Sequence, residues 1–158
     1  MVEIEKSQEV NAPVESVWKL VSDLDNEHKN WSFLKDVKLL RKTQDSIERE
    51  VKIRRGPMGE AKSVQTLTID PSKKSTTLSM TKGPMLGTRK ILLSNLGDDK
   101  TKIDVSWKFE MKGVPSFALG FVKDNVSKVT EKSLEIIAEE AEKNFHVVTQ
   151  RNEPSVSR

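Results

Sequence analysis

The residues able to do chemistry in this chain are few. There is no cysteine and no tyrosine, so thiolate ligands, disulfides, a cysteine nucleophile and a phenolic proton donor are all excluded. The two histidines, His28 and His146, lie far apart and neither sits at a metal-ligand spacing, so no metal is expected. No Gly-x-Ser-x-Gly elbow, phosphate-cradling glycine loop or dinucleotide fingerprint occurs, and no cofactor is expected. The polar groups left to consider are three that interrupt an otherwise apolar alternation: Arg49, Gln65 and Arg89. A guanidinium facing a core is costly unless it is paired and hydrogen-bonded. Arg89 with Gln65 can therefore anchor a carboxylate, carbonyl or phosphate on a mostly apolar ligand. The alternatives are an internal pair with a helix acid such as Asp124, or a guanidinium reaching out to the rim. An arginine stays protonated, so it can polarise a carbonyl but not abstract a proton. No catalytic residue is assigned.

These side chains need strands to place them. Val2, Ile4 and Val10 alternate with Glu3, Glu5 and Glu9, which predicts a strand over 2–10 with one wet face. Pro13 suits a first helical turn, and Val14, Val17, Trp18, Val21 and Leu24 form a helical stripe behind it. Residues 26–34 read as a second short helix or turn that returns Trp31 and Phe33 to the core. Six strands follow, near 36–43, 46–55, 61–70, 75–82, 87–96 and 101–112, separated by Gly-, Pro- and Asp-rich turns short enough to force antiparallel hairpins. Pro115-Ser116 then opens a helix of about 30 residues, roughly 45 Å long, with Val122, Val126, Val129, Ser133, Ile136, Ile137, Ala141 and Phe145 on one face. The reading is one domain over 1–146 and a loose polar tail over 147–158.

Centring the turns pairs Leu67 with Leu78 and Gln65 with Met80. It also pairs Leu78 with Ile91, Met80 with Arg89, Ile91 with Trp107, Leu93 with Val105 and Arg89 with Phe109. One inner face then collects Val51, Leu67, Leu78, Met80, Ile91, Leu93, Val105, Trp107, Phe109 and Met111. Gln65, Met80, Arg89 and Phe109 share a row.

The order strand, two short helices, six strands and one long helix comes with Asn11-Ala12-Pro13-Val14-Glu15-Ser16-Val17-Trp18 and a downstream Trp31. In this the chain resembles the START-like, or SRPBCC, helix-grip superfamily. That group includes polyketide cyclase/dehydrase-like, coenzyme Q-binding and lipid-transport proteins. The resemblance implies an α+β fold in which a seven-stranded curved antiparallel sheet wraps a long C-terminal helix around an apolar cavity. It implies a hydrophobic small-molecule ligand (a lipid, polyketide or isoprenoid-like compound) as partner. Ligand contacts are then expected from Arg89, Gln65, Met80, Ile91, Trp107, Phe109, Phe121, Val122 and Asn125. The mouth would lie among loops 54–58, 83–87 and 113–115, with Met58, Met85, Leu86 and Phe117 as an exposed apolar gate. A binding or carrier protein is the favoured reading. A cyclase/dehydratase-type enzyme using the same cavity is the alternative, and it needs an inward-facing proton-transfer group.

The net charge is +3 and the basic excess sits in the strand-rich middle. A nucleic-acid or anionic-surface binder would use it, but the exposed aromatics that single-strand binders interleave are missing. No nucleic-acid partner is expected, a transient membrane contact stays open, and the sequence does not fix an oligomeric state. Without cysteine, a signal-like N-terminus or a long apolar run, the expected location is the cytoplasm.

Overall fold

The structure is a computed structural model that describes residues 1–32, 34–54 and 59–152, with side chains for 1–32, 34–53 and 59–147. The alternating N-terminal segment forms β1 (Val2–Val10), followed by α1 (Val14–Val21) and a short 3-10 helix (Glu27–Asn30). Six strands follow in sequence: β2 (Leu34–Lys42), β3 (Ser46–Arg54), β4 (Glu60–Asp70), β5 (Ser75–Lys82), β6 (Met85–Gly97) and β7 (Lys100–Met111). A 3-10 turn at Ser116–Ala118 leads into α2 (Leu119–Asn152). The strands form one antiparallel sheet in the order β1-β7-β6-β5-β4-β3-β2. Short hairpins make each neighbour from β2 to β7, and only β1 joins out of sequence, against β7. This is the helix-grip architecture: a curved seven-stranded sheet, two short helices after the first strand and one long C-terminal helix.

Period-2 patterning puts Ile4, Leu67, Leu78, Ile91, Val105, Trp107 and Phe109 on the concave face, all buried. Met111, expected there too, is half-buried. The long helix meets β1, β7, α1 and the 3-10 helix at Glu27–Asn30. It buries Leu134, Ile137, Ala138 and Ala141, while Val122, Val126, Val129 and Phe145 pack at the core's margin. Trp107 ties sheet to helix: its indole Nε1–H donates to Thr130 Oγ1 at 2.9 Å, and that hydroxyl donates to Val126 O at 2.7 Å. The helix does not stop near 146 but runs to Asn152, because nothing in the sequence of 147–152 breaks it. No helix among the described residues is long and apolar enough to cross a membrane.

The β4–β5 register is the expected one, with Leu67 opposite Leu78 and Gln65 opposite Met80. The next two hairpins are each two residues tighter. Gly83 and Pro84 alone span the β5–β6 turn, so Met80 faces Gly87 and Leu78 faces Arg89. Asp98 and Asp99, both at positive φ (47° and 57°), form the two-residue β6–β7 turn of the type that matches strand twist. A register shift between Asn95 and Gly97 completes the change, putting Arg89 opposite Trp107 and Gly87 opposite Phe109. A slip of two preserves the face, so every inward residue stays inward, but the rows change. Gln65 shares a row with Arg49 and Met80, whereas Arg89 lies one row away with Leu78 and Trp107.

Gly87 has a packing reason. Its φ is +151°, and a Cβ there would sit 2.0 Å from Lys108 O and 2.6 Å from Phe109 Cα. The β6 backbone thus approaches β7 too closely for any side chain. Gly87→Ala is expected to cost about 3 kcal/mol or more, since backbone strain adds to a collision with an atom that cannot swing away. Urea unfolding measures it, and a loss below about 1 kcal/mol would contradict this local geometry.

Candidate functional site

The 3-10 helix at Glu27–Asn30 is short and polar, yet Glu27 is buried. Trp31, four residues on, drops into the core and brings the preceding turn with it. Glu27 then meets the two inward arginines. Its Oε1 accepts from Arg89 Nη2 at 2.6 Å, and its Oε2 lies 2.8 Å from Arg49 Nη1, an ion pair without good hydrogen-bond alignment. Arg49 Nε donates to Gln65 Oε1 at 3.0 Å, which joins the two cross-strand neighbours. Arg49, Gln65 and Arg89 are 0% exposed and Glu27 is 2% exposed, so the whole cluster is out of bulk water.

Aromatic rings frame it. The Arg89 guanidinium lies 4.2 Å from the Trp31 ring centroid and 5.7 Å from that of Trp107, within cation–π range. Trp31 and Trp107 meet edge-on at 5.8 Å, and Trp107 and Phe109 do the same at 6.1 Å. This ladder ends at a half-open depression of about 250 Å³ lined by Met1, Val2, Phe109, Glu110, Met111 and Leu119. A row of packed rings, Phe109, Trp107 and Trp31, therefore links the lining of that depression to the Arg89 guanidinium.

Charge and hydrogen bonding do not close within the cluster. Two guanidiniums face one carboxylate, which leaves one net positive charge. Arg49 Nη2, Arg89 Nε and Nη1, and Gln65 Nε2 find no acceptor among the described residues, and Ser63 Oγ and Thr76 Oγ1 are also buried without a partner there. Burial alone would raise the Glu27 carboxyl, but Arg89 and then Arg49 overcome it and hold the pKa below its ordinary value. Burial lowers Arg89 from its ordinary value, against the pull of Glu27, and a guanidinium starts so high that it remains a cation. Burial first, and Arg49 second, hold the pKa of half-buried His28 below its ordinary value.

The sequence-predicted residues divide. Arg89, Gln65, Met80, Ile91, Trp107 and Phe109 are buried on the concave face, with Arg49 beside them. Arg89 pairs with Glu27, not with an acid of the long helix such as Asp124, which is exposed. Val122 is half-buried at the core's edge. Asn125 is exposed and Phe121 is 70% exposed, because the first turns of α2 present only the Val122–Val126–Val129 face to the sheet. Of the gate residues, Phe117 is 89% exposed, but Met85 is buried opposite Met111 and Leu86 is half-buried, since β6 begins at Met85 and draws both into the sheet. Met58, with loop residues 55–57, and Phe33 lie outside the described residues.

Glu27 is the residue that sequence reasoning missed. Its polar neighbours Asp25, Asn26 and His28 make it look solvated. The signal was present: it precedes inward Trp31 by four, and two inward arginines require an acid. Among the described residues no group of three or more His, Asp or Glu could hold a metal.

The comparisons with known proteins agree with the fold. The family model described as polyketide cyclase/dehydrase and lipid transport matches residues 1–142. No curated protein matches the sequence. A protein from Thermus thermophilus is similar in structure with a TM-score of 0.68 at 13% identity, covering 94% of this chain and 99% of its own. A START superfamily protein from Mycobacterium smegmatis gives a TM-score of 0.63 at 18% identity, covering 92% and 98%. The Zhui aromatase/cyclase from a Streptomyces species gives 0.62 at 14% identity, covering 95% and 94%. At such identities these structures share the fold and nothing finer. With 142 of 158 residues matched, the chain belongs to the polyketide cyclase/dehydrase and lipid-transport family of START-like helix-grip proteins.

Proposed function

We propose that the protein binds and carries a hydrophobic small molecule between its sheet and long helix, with the ligand's polar end at Arg49, Arg89 and Gln65. The carrying observation is the buried arginine pair, whose N–H groups exceed the acceptors around them among the described residues. Folding gains little from such a cluster over an apolar one, so a ligand role accounts for its cost. Family membership supports an apolar guest, because the family description spans lipid transport and polyketide chemistry. The aromatic ladder from the Phe109 depression to Arg89 supplies walls for an apolar body. A cyclase or dehydratase needs a base poised near the working pH. Glu27 is poorly suited, with its pKa lowered and both oxygens facing guanidiniums. The carrier reading is therefore preferred.

The test uses N-phenyl-1-naphthylamine, a neutral apolar fluorophore. Its emission is expected to rise to saturation at one probe per chain and to fall on addition of decanol. Because each buried methylene contributes about 0.8 kcal/mol, octanol, two methylenes shorter, is expected to displace it about fifteen-fold less well than decanol. No saturable emission, or displacement indifferent to chain length, would overturn the proposal.

A further inference from the structure

The cluster's charge and donor inventory narrows the ligand further, on the basis of the hydrophobic-ligand reading above. We infer that the buried end of the ligand is a monoanion made only of acceptors, a carboxylate or an acidic enolate-type oxygen, and not a neutral alcohol, an amine or a dianion. Two guanidiniums against one carboxylate leave one positive charge, which a single negative charge neutralises. A dianion would leave the interior negative, and a cation would raise it to two positive charges.

The hydrogen-bonding inventory points the same way. Arg49 Nη2, Arg89 Nε and Nη1, and Gln65 Nε2 all donate and cannot accept. A hydroxyl or ammonium head would bring more donors to a site already rich in them, whereas a carboxylate's two oxygens accept several. Glu27 is a positioning residue here. It holds Arg89 by one oxygen and Arg49 by the other, so the two guanidiniums are kept on one carboxylate with N–H groups that find no acceptor among the described residues turned to a second. The Trp31 ring lies 4.2 Å from the Arg89 guanidinium and holds it by a cation–π contact.

The experiment is displacement of N-phenyl-1-naphthylamine at pH 8 by chain-matched decanoate, decanol, decylammonium and decyl phosphate. An apolar pocket without an anchor favours decanol, because a carboxylate loses more hydration on entry. Decanoate is expected to bind at least about ten-fold more tightly than decanol, and decylammonium and decyl phosphate more weakly than decanoate. In Arg89→Met the decanoate advantage over decanol is expected to collapse to within about two-fold. If that variant does not fold, the wild-type ranking decides alone. Decanol equal to or better than decanoate would overturn the inference, as would decylammonium or decyl phosphate binding best. Failure of the fluorophore itself to bind would instead overturn the hydrophobic-ligand reading, so the two failures are distinguishable.

Discussion

Glu27→Gln is expected to lose about 3–5 kcal/mol of stability, a large share of what a domain of this size possesses. The variant keeps the shape of the side chain but removes the negative charge that faces Arg49 and Arg89. Two guanidiniums would then be buried within one cluster, and neither can neutralise itself by giving up a proton. With a urea slope near 2 kcal/mol/M, the midpoint falls by about 1.5–2.5 M. The pH dependence carries the same signature. The folded-state pKa of Glu27 lies below its ordinary value of 4.5, so its contribution is fully present above that value and is lost as pH falls through the folded pKa. The gap between wild type and Glu27→Gln is therefore constant from about pH 5.5 to 8 and shrinks in acid below pH 4.5. A midpoint shift under about 0.5 M, or a gap that widens in acid, would contradict the pairing.

Replacing the whole cluster should behave oppositely. A Glu27→Leu, Arg49→Met, Arg89→Met triple variant removes two cations and one anion together and fills similar volume with apolar atoms. Such exchanges are often neutral or stabilising by about 1–4 kcal/mol, because the desolvation cost of the charges disappears with them. The variant is expected to be at least as stable as wild type and to lose the preference for decanoate over decanol. Stability and binding then separate. If the triple variant is as unstable as Glu27→Gln, the cluster is a structural member of the fold and its ligand role falls.

The fold was legible because its signals are local and redundant. The strand alternation of Val2–Val10, the stripe from Val14 to Val21 and the glycine–proline turns each set an element before any contact was known. The inner face was also legible, since a hairpin error of two residues leaves each side chain on its side. Rows were harder. Whether Gly83-Pro84 or Pro84-Met85 is the turn centre decides whether Arg89 faces Leu78 or Met80, and the shared Pro84 suits a turn in either register. Glu27 was hidden for a different reason. A short 3-10 helix has too few turns to show a periodic face, and its burial follows from the long-range descent of Trp31 onto Arg89 and Trp107. Exposure at the start of α2 was likewise non-local. Phe121 sits one position from Val122, and only the angle at which the helix meets the sheet chooses between them.

The most direct test of the ligand's anchorage is a crystal structure of the protein with decanoate. The carboxylate is expected within hydrogen-bonding distance of Arg89 Nε or Nη1 and Arg49 Nη2, with the alkyl chain running past Trp107 and Phe109. A decanoate lying with its carboxylate at the surface near Phe117 and its tail inward, or water alone on the guanidiniums, would contradict it.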